Sequence, residues 1–166
     1  MDKSHHILSA SLEDYLEAIY LIIKEKKAVR AKDIAKRLGV SNASVTGALR
    51  TLSKRGLIHY APYDVISLTE KGNAVAEDIV RRHEILKEFF VKALAVPEEL
   101  ADEAACKMEH GIPQEIIDRF VHFIKLLESC PLSRKGLLDD LKKQFDGDND
   151  ISTCEHCNKG GGPDGN

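Results

Sequence analysis

Apolar residues recur at helical spacing along most of this chain. Leu12, Tyr15, Leu16, Ile19, Tyr20, Ile22 and Ile23 share one face of a helix predicted over Ser11 to Lys27, which Ser11 and Asp14 open in a capping-box arrangement. Asp14 and Glu17 fall roughly opposite that stripe, beside Ala18 and Leu21, so this second face is expected to be covered too. A short helix over Ala31 to Leu38 sets Ile34, Ala35 and Leu38 on one side and stops at Gly39. Ser41 caps the next helix, which turns Val45, Ala48, Leu49 and Leu52 inward and ends in Lys54, Arg55 and Gly56. Two β-rich runs follow, Leu57 to Ala61 and Val65 to Leu68, around Pro62-Tyr63-Asp64, and they predict a hairpin.

Thr69 caps a longer element that carries Ala74, Ala76, Ile79, Val80, Ile85, Leu86, Phe89, Phe90 and Leu94 to about Ala95. Gly72 near its start is tolerated at some cost in helix propensity. Pro97 fits the first turn of a further helix reaching His110, ended by Gly111 and Pro113. Gln114 to Ser129 continues with Ile116, Ile117, Phe120, Val121, Ile124 and Leu127. That stripe is long for a domain of this size. It serves either as intramolecular core or, as we prefer, partly as a symmetric dimer face. Ser133 to Phe145 forms a last short helix, and the polar, Gly-rich Asp146 to Asn166 is expected to be disordered.

Two helices joined by Gly39-Val40-Ser41 make a helix-turn-helix, and a hairpin directly after the second makes it a winged helix. The fold class is therefore mostly α: an N-terminal winged helix-turn-helix with a small β-hairpin wing, followed by an all-α domain. The expected boundaries are 1–72 for the winged helix, 73–145 for the helical domain and 146–166 for a flexible tail.

Charge sharpens this division. The net charge is only -3 over 166 residues, yet Lys24 to Tyr60 holds ten Lys or Arg against two acids. The remainder holds 14 basic residues against 25 acidic ones. A basic block with acidic flanks suggests a polyanion-binding module joined to a part that does not bind polyanions. Ser41, Asn42, Ala43, Ser44, Thr46 and Gly47 are small and lie near the start of the recognition helix, where base edges are reached. Arg50, Lys54, Arg55 and the wing near Tyr63 are placed to touch phosphate. No apolar run approaches a membrane span and the N-terminus lacks a signal-peptide core, so a cytoplasmic location is expected.

Candidate metal chemistry centres on Cys106-Lys107-Met108-Glu109-His110. On a helix Cys106 lies one turn from both Glu109 and His110, so a thiol, a carboxylate and an imidazole can converge. The same five residues are also consistent with a half-buried Cys followed by surface residues at a helix end. Asp14 serves equally well as a helix-start carboxylate or a ligand. In the tail, Cys154, His156 and Cys157 offer three soft ligands in four residues, a weak zinc signal without a second Cys pair.

The winged helix, the long connector with Arg81-Arg82-His83-Glu84, and the segment from Glu103 to His110 together resemble the diphtheria-toxin-repressor family of metal-dependent bacterial repressors, including its manganese-sensing branch. The resemblance covers residues 9 to 145, about the whole folded part. It implies that Asp14 and Glu17, in the Glu13-Asp14-Tyr15-x-Glu17 run, are metal ligands as in the manganese branch, and that His83, Glu109 and His110 are ligands as in both. Cys106 stands where the iron branch has a cysteine and the manganese branch a carboxylate. The chain is thus a hybrid. Lys87 and Asp102 replace a Glu and a His of the iron branch's second site, which argues against an iron-type second site. The family often has a larger polar residue at the Gly47 position.

The resemblance implies a repressor of metal-homeostasis genes that senses Fe(II) or Mn(II), acts as a homodimer and binds a palindromic duplex operator. Asp14, Glu17 and Glu109 are hard ligands, and Cys106 tilts the preference narrowly toward Fe(II). Without a cation Asp14 and Glu17 are expected to repel Glu109 across the domain boundary. A divalent ion reverses that sign and sets the two recognition helices of a dimer roughly 34–36 Å apart. The competing readings are a winged-helix regulator responding to an organic ligand or to thiol oxidation, and a helical metalloenzyme. Against an enzyme, there is no paired Glu-x-x-His of a di-iron bundle and no His-Glu-x-x-His zinc site.

Overall fold

A computed structural model of the chain describes residues 8–26, 28–61 and 65–129. The elements in order are α1 (Ala10–Lys26), α2 (Ala31–Leu38), α3 (Asn42–Lys54), β1 (Ile58–His59), β2 (Ser67–Leu68), α4 (Glu70–Leu94), α5 (Glu98–Met108) and α6 (Gln114–Ser129). The chain divides into two compact units, Met1–Arg82 and His83–Asn166, so the division falls within α4. The expected helix over Ser133 to Phe145, the tail and the Pro62-Tyr63-Asp64 turn lie outside the described residues. Among the described residues no helix is long and apolar enough to cross a membrane.

In the first unit, α1 starts one residue earlier than expected. Ser9 O accepts from the backbone N–H groups of Leu12 and Glu13, which leaves Ser11 inside the first turn rather than capping it. At α2 the Asp33 carboxylate accepts from the Arg30 N–H at 3.1 Å, and Gly39 ends the helix at φ 66°. Only a residue without a Cβ adopts that left-handed conformation at no cost, so the tight turn into α3 depends on Gly39. Ser41 caps α3 as its sequence position predicts, with Oγ accepting from Ser44 N at 3.1 Å.

Strands β1 and β2 pair antiparallel with Ile58 opposite Leu68 and His59 opposite Ser67. They are shorter than the runs expected from sequence. A further bridge joins Val29 to Ile66, tying the approach to α2 against the hairpin. Leu16 and Ile19 of α1, Ile34 of α2, Val45, Leu49 and Leu52 of α3, Ile66, and Ile79 of α4 form one fully buried core. Those α1, α2 and α3 positions are the inward stripes read from the sequence. Burying each is worth about 1.5–3 kcal/mol, and their interlock holds α3 at a defined angle.

Thr69 joins the hairpin to α4. Its Oγ1 donates to Gly56 O at 2.8 Å and accepts from Gly72 N at 3.0 Å. In the second unit Leu86, Ala105 and Ile117 form a smaller buried cluster flanked by Ile85, Phe90, Ile112 and Phe120. Phe89 stacks on Phe120 with ring centroids 4.3 Å apart. Ile116, Phe123 and Leu126 of α6 remain 40, 44 and 62% exposed. Of the stripe expected on α6, Ile117 and Ile124 are buried and Ile116 is exposed, while Phe123 and Leu126 lie outside that stripe.

Candidate metal centre

Three of the six expected ligands come together within the second unit. His83, the first residue of that unit, places Nδ1 2.8 Å from Oε2 of Glu109. His110 places Nε2 3.4 Å from the other oxygen, Oε1. The Glu109 side chain is wholly buried. A carboxylate in such a place is stable only with positive charge or strong donors beside it, and here two imidazoles face its two oxygens.

The local backbone explains the placement. Helix α5 closes at Met108, and Glu109 keeps helical dihedrals with its N–H donating to Ala105 O. Glu109 therefore continues the buried row of Ala101 and Ala105, each four residues before the next. Gly111 N donates to Met108 O, and Pro113 lies two residues further on. The turn so formed keeps His110 beside Glu109. Cys106 lies next to that row rather than in it, and it is exposed. Of the carboxylate and imidazoles expected here, Glu109 stands between the rings of His83 and His110.

His83 also has a second partner. Its Nε2 lies 3.3 Å from Oδ1 of Asp102, and the same oxygen is 3.0 Å from Nζ of Lys87, which also pairs with Glu98 at 3.1 Å. The Lys87 ammonium, and then the His83 ring, hold the Asp102 carboxyl below its ordinary range. Asp102, and then Glu98, raise Lys87. The two positions that depart from the iron branch therefore pair with each other.

In the first unit Asp14 and Glu17 stand one turn apart on α1 and are half-buried. Their neighbour Glu13 is buried, and its Oε2 lies 3.7 Å from the Arg82 guanidinium, which also meets Asp78 at 3.3 Å. Sequence reasoning did not identify this ion pair. Its only signal was a charged residue at a core-facing position of α1 and an arginine on α4.

The donor set fits a divalent transition metal: imidazole nitrogen suits Fe and Zn, and a carboxylate supplies the hard oxygen that suits Mn. On α3, Ser41, Asn42, Ala43, Ser44, Gly47, Arg50, Lys54 and Arg55 are exposed, and Thr46 is half-buried with its hydroxyl donating to Asn42 O. The outer face of α3 thus carries the small and basic residues expected to meet nucleic acid.

Two family models match the chain. Residues 7–66 match "Iron dependent repressor, N-terminal DNA binding domain", and residues 69–136 match "Iron dependent repressor, metal binding and dimerisation domain". An HTH-type transcriptional regulator of Methanocaldococcus jannaschii is 40% identical over 119 residues, which is 71% of this chain and 95% of the relative. The HTH-type transcriptional regulator MntR of Bacillus subtilis is 35% identical over 133 residues, 80% of this chain and 93% of the relative. Among solved structures, T. acidophilum IdeR superposes with a TM-score of 0.64 at 28% identity, covering 72% of this chain and 56% of that one. A manganese-dependent transcriptional repressor in complex with manganese gives 0.64 at 27% identity, with 69% of this chain and 52% of that chain covered. The chain thus spans about half the length of these structural relatives. Neither the organic-ligand or thiol-switch regulator nor the metalloenzyme finds support in these comparisons. With both halves matched in order, the chain belongs to the iron-dependent repressor family, the diphtheria-toxin-repressor and MntR group of metal-dependent transcriptional regulators.

Proposed function

We propose that this protein is a DNA-binding repressor whose operator affinity is controlled by Fe(II) or Mn(II), and that it is not an enzyme. The observation that carries the proposal is the buried Glu109 carboxylate held between the His83 and His110 imidazoles, on a chain whose first unit is a winged helix. The ligand set is His83, Glu109 and His110 together with Asp14 and Glu17 on α1. The carboxylates of α1 enter through donor chemistry and through the family's pattern. Cys106 enters through its position one turn before Glu109 and His110, and titration of Cys106→Ala decides its part. When bound, the cation supplies positive charge that balances these carboxylates and makes their approach favourable.

The protein's own residues supply the rest. His83 lies at the division of α4 between the two units, so restraint at its ring acts on the segment that leads out of the winged helix. Ser41, Asn42, Ala43, Ser44, Thr46 and Gly47 read base edges from the N-terminal turns of α3, and Arg50, Lys54 and Arg55 bind phosphate. The exposed Ile116, Phe123 and Leu126 on α6 supply an apolar face for a two-fold homodimer on a palindromic operator. The expected location is the cytoplasm, with the DNA. The test is fluorescence anisotropy of a duplex selected by this protein from a random library, with Mn²⁺, with anaerobic Fe²⁺, and with chelator. Affinity equal under all three conditions overturns the proposal.

A further inference from the structure

The His83 ring sits between two carboxylates of opposite setting, Glu109 at Nδ1 and Asp102 at Nε2. Glu109 is fully buried and faces a second imidazole, whereas the Asp102 side chain is 55% exposed and carries an ammonium on the very oxygen that meets the ring. A cation approaching Nε2 would meet the Lys87 charge, already shared between Asp102 and Glu98. A cation approaching Nδ1 meets Glu109 and His110 instead. The two ring nitrogens are therefore not equivalent toward a metal.

We propose that Asp102, held in place by Lys87, is a positioning residue that accepts from Nε2–H of His83 and so commits Nδ1 to the metal on the Glu109 side. A ligating imidazole whose other N–H is tied to a carboxylate is fixed in tautomer and ring angle and is a more basic donor. The inference rests on the metal site proposed above and assigns a role within it to two residues at which this chain departs from the iron branch. Lys87 acts at one remove: by pairing with Asp102 and Glu98 it ties α4 to α5 at the level of His83.

The test uses the full chain, nitrogen-15-labelled at histidine, loaded with Zn²⁺ as a diamagnetic probe. Long-range nitrogen–proton spectra are expected to show His83 metallated at Nδ1 with a persistent Nε2–H. In Asp102→Ala that proton exchanges rapidly with water, and calorimetry gives Zn²⁺ binding weaker by about ten-fold or more. Asp102→Asn keeps an acceptor oxygen and is expected to recover most of the affinity. Because Asp102 is half-exposed, its variants are expected to fold, which circular dichroism checks. Metallation through Nε2, or Asp102→Ala within two-fold of wild type, overturns this proposal and leaves the metal reading intact. Identical Zn²⁺ isotherms for wild type and Glu109→Gln overturn both.

Discussion

Gly47 and Gly72 both lie inside helices, so helix propensity alone gives Gly→Ala the same effect at each, a gain of about 0.8–1 kcal/mol. The surroundings reverse the sign at one of them. A Cβ on Gly47 meets nothing within 4 Å, whereas a Cβ on Gly72 would stand 1.8 Å from the carbonyl oxygen of Leu57 and 2.7 Å from its carbon. That carbonyl cannot yield cheaply, because it accepts from Thr69 N at 3.0 Å and from Thr69 Oγ1 at 3.1 Å while Leu57 itself is buried. Losing the Thr69 N–H bond and a share of the hydroxyl proton, which Gly56 O also accepts, costs about 1–2 kcal/mol together, and overpacking strain adds about 1–3 kcal/mol. Against a propensity gain of about 1 kcal/mol, Gly72→Ala is expected to destabilise the winged helix by about 1–4 kcal/mol. Gly47→Ala is expected to stabilise it by somewhat less than about 1 kcal/mol. Urea unfolding followed by circular dichroism measures both as shifts in midpoint at unchanged slope. A Gly72→Ala protein as stable as wild type would refute the close approach of the Leu57 carbonyl to α4.

Other expectations follow from single contacts. Ser41→Ala removes the α3 cap and is expected to cost about 1 kcal/mol, measured in the same unfolding assay, with weaker DNA binding because the cap orders the first turn of the reading helix. Arg50→Ala is expected to weaken binding to all duplexes alike and to reduce the salt slope by about 1, a change that anisotropy titrations at several salt concentrations resolve. Glu109→Gln keeps the volume and removes the charge, and it is expected to weaken Mn²⁺ binding at least ten-fold by calorimetry, roughly the size of a lost charged hydrogen bond. Lys92 is raised by Glu128 first and by Glu88 second. Its pairs therefore stabilise the fold below the unfolded lysine value of about 10.4, and that contribution fades as pH rises through the folded value. Because the groups are largely exposed, Lys92→Met is expected to cost less than about 1 kcal/mol at neutral pH, with the two proteins converging in alkaline urea titrations.

The helices were legible because each carries an apolar stripe and a local stop. Ser41, Gly39 and Thr69 do in the structure what such residues do at caps and turns. Gly72 was not legible. Nothing within ten residues shows that Leu57 O packs against it, so propensity suggested mere tolerance where contact requires glycine. The site divides in the same way. His83, Glu109 and His110 lie together in the second unit, while Cys106, one turn before them, is exposed beside the buried row of Ala101, Ala105 and Glu109. Helical spacing names neighbours on one element; it does not name which side of that element faces the core. The Glu13–Arg82 and Asp102–Lys87 pairs were hidden for a related reason, since they join residues 69 and 15 positions apart, beyond the reach of i,i+4 reasoning.

The most direct measurement is the affinity of the full-length protein for its selected duplex, determined with Mn²⁺, with anaerobic Fe²⁺ and with chelator, for wild type and Glu109→Gln in parallel. The metal-controlled account expects cation to tighten wild-type binding by about 5–150-fold, the range of typical coupling energies, and to leave Glu109→Gln close to its chelator value. Wild-type affinity that does not change with cation, or a Glu109→Gln protein that responds as fully as wild type, would contradict it.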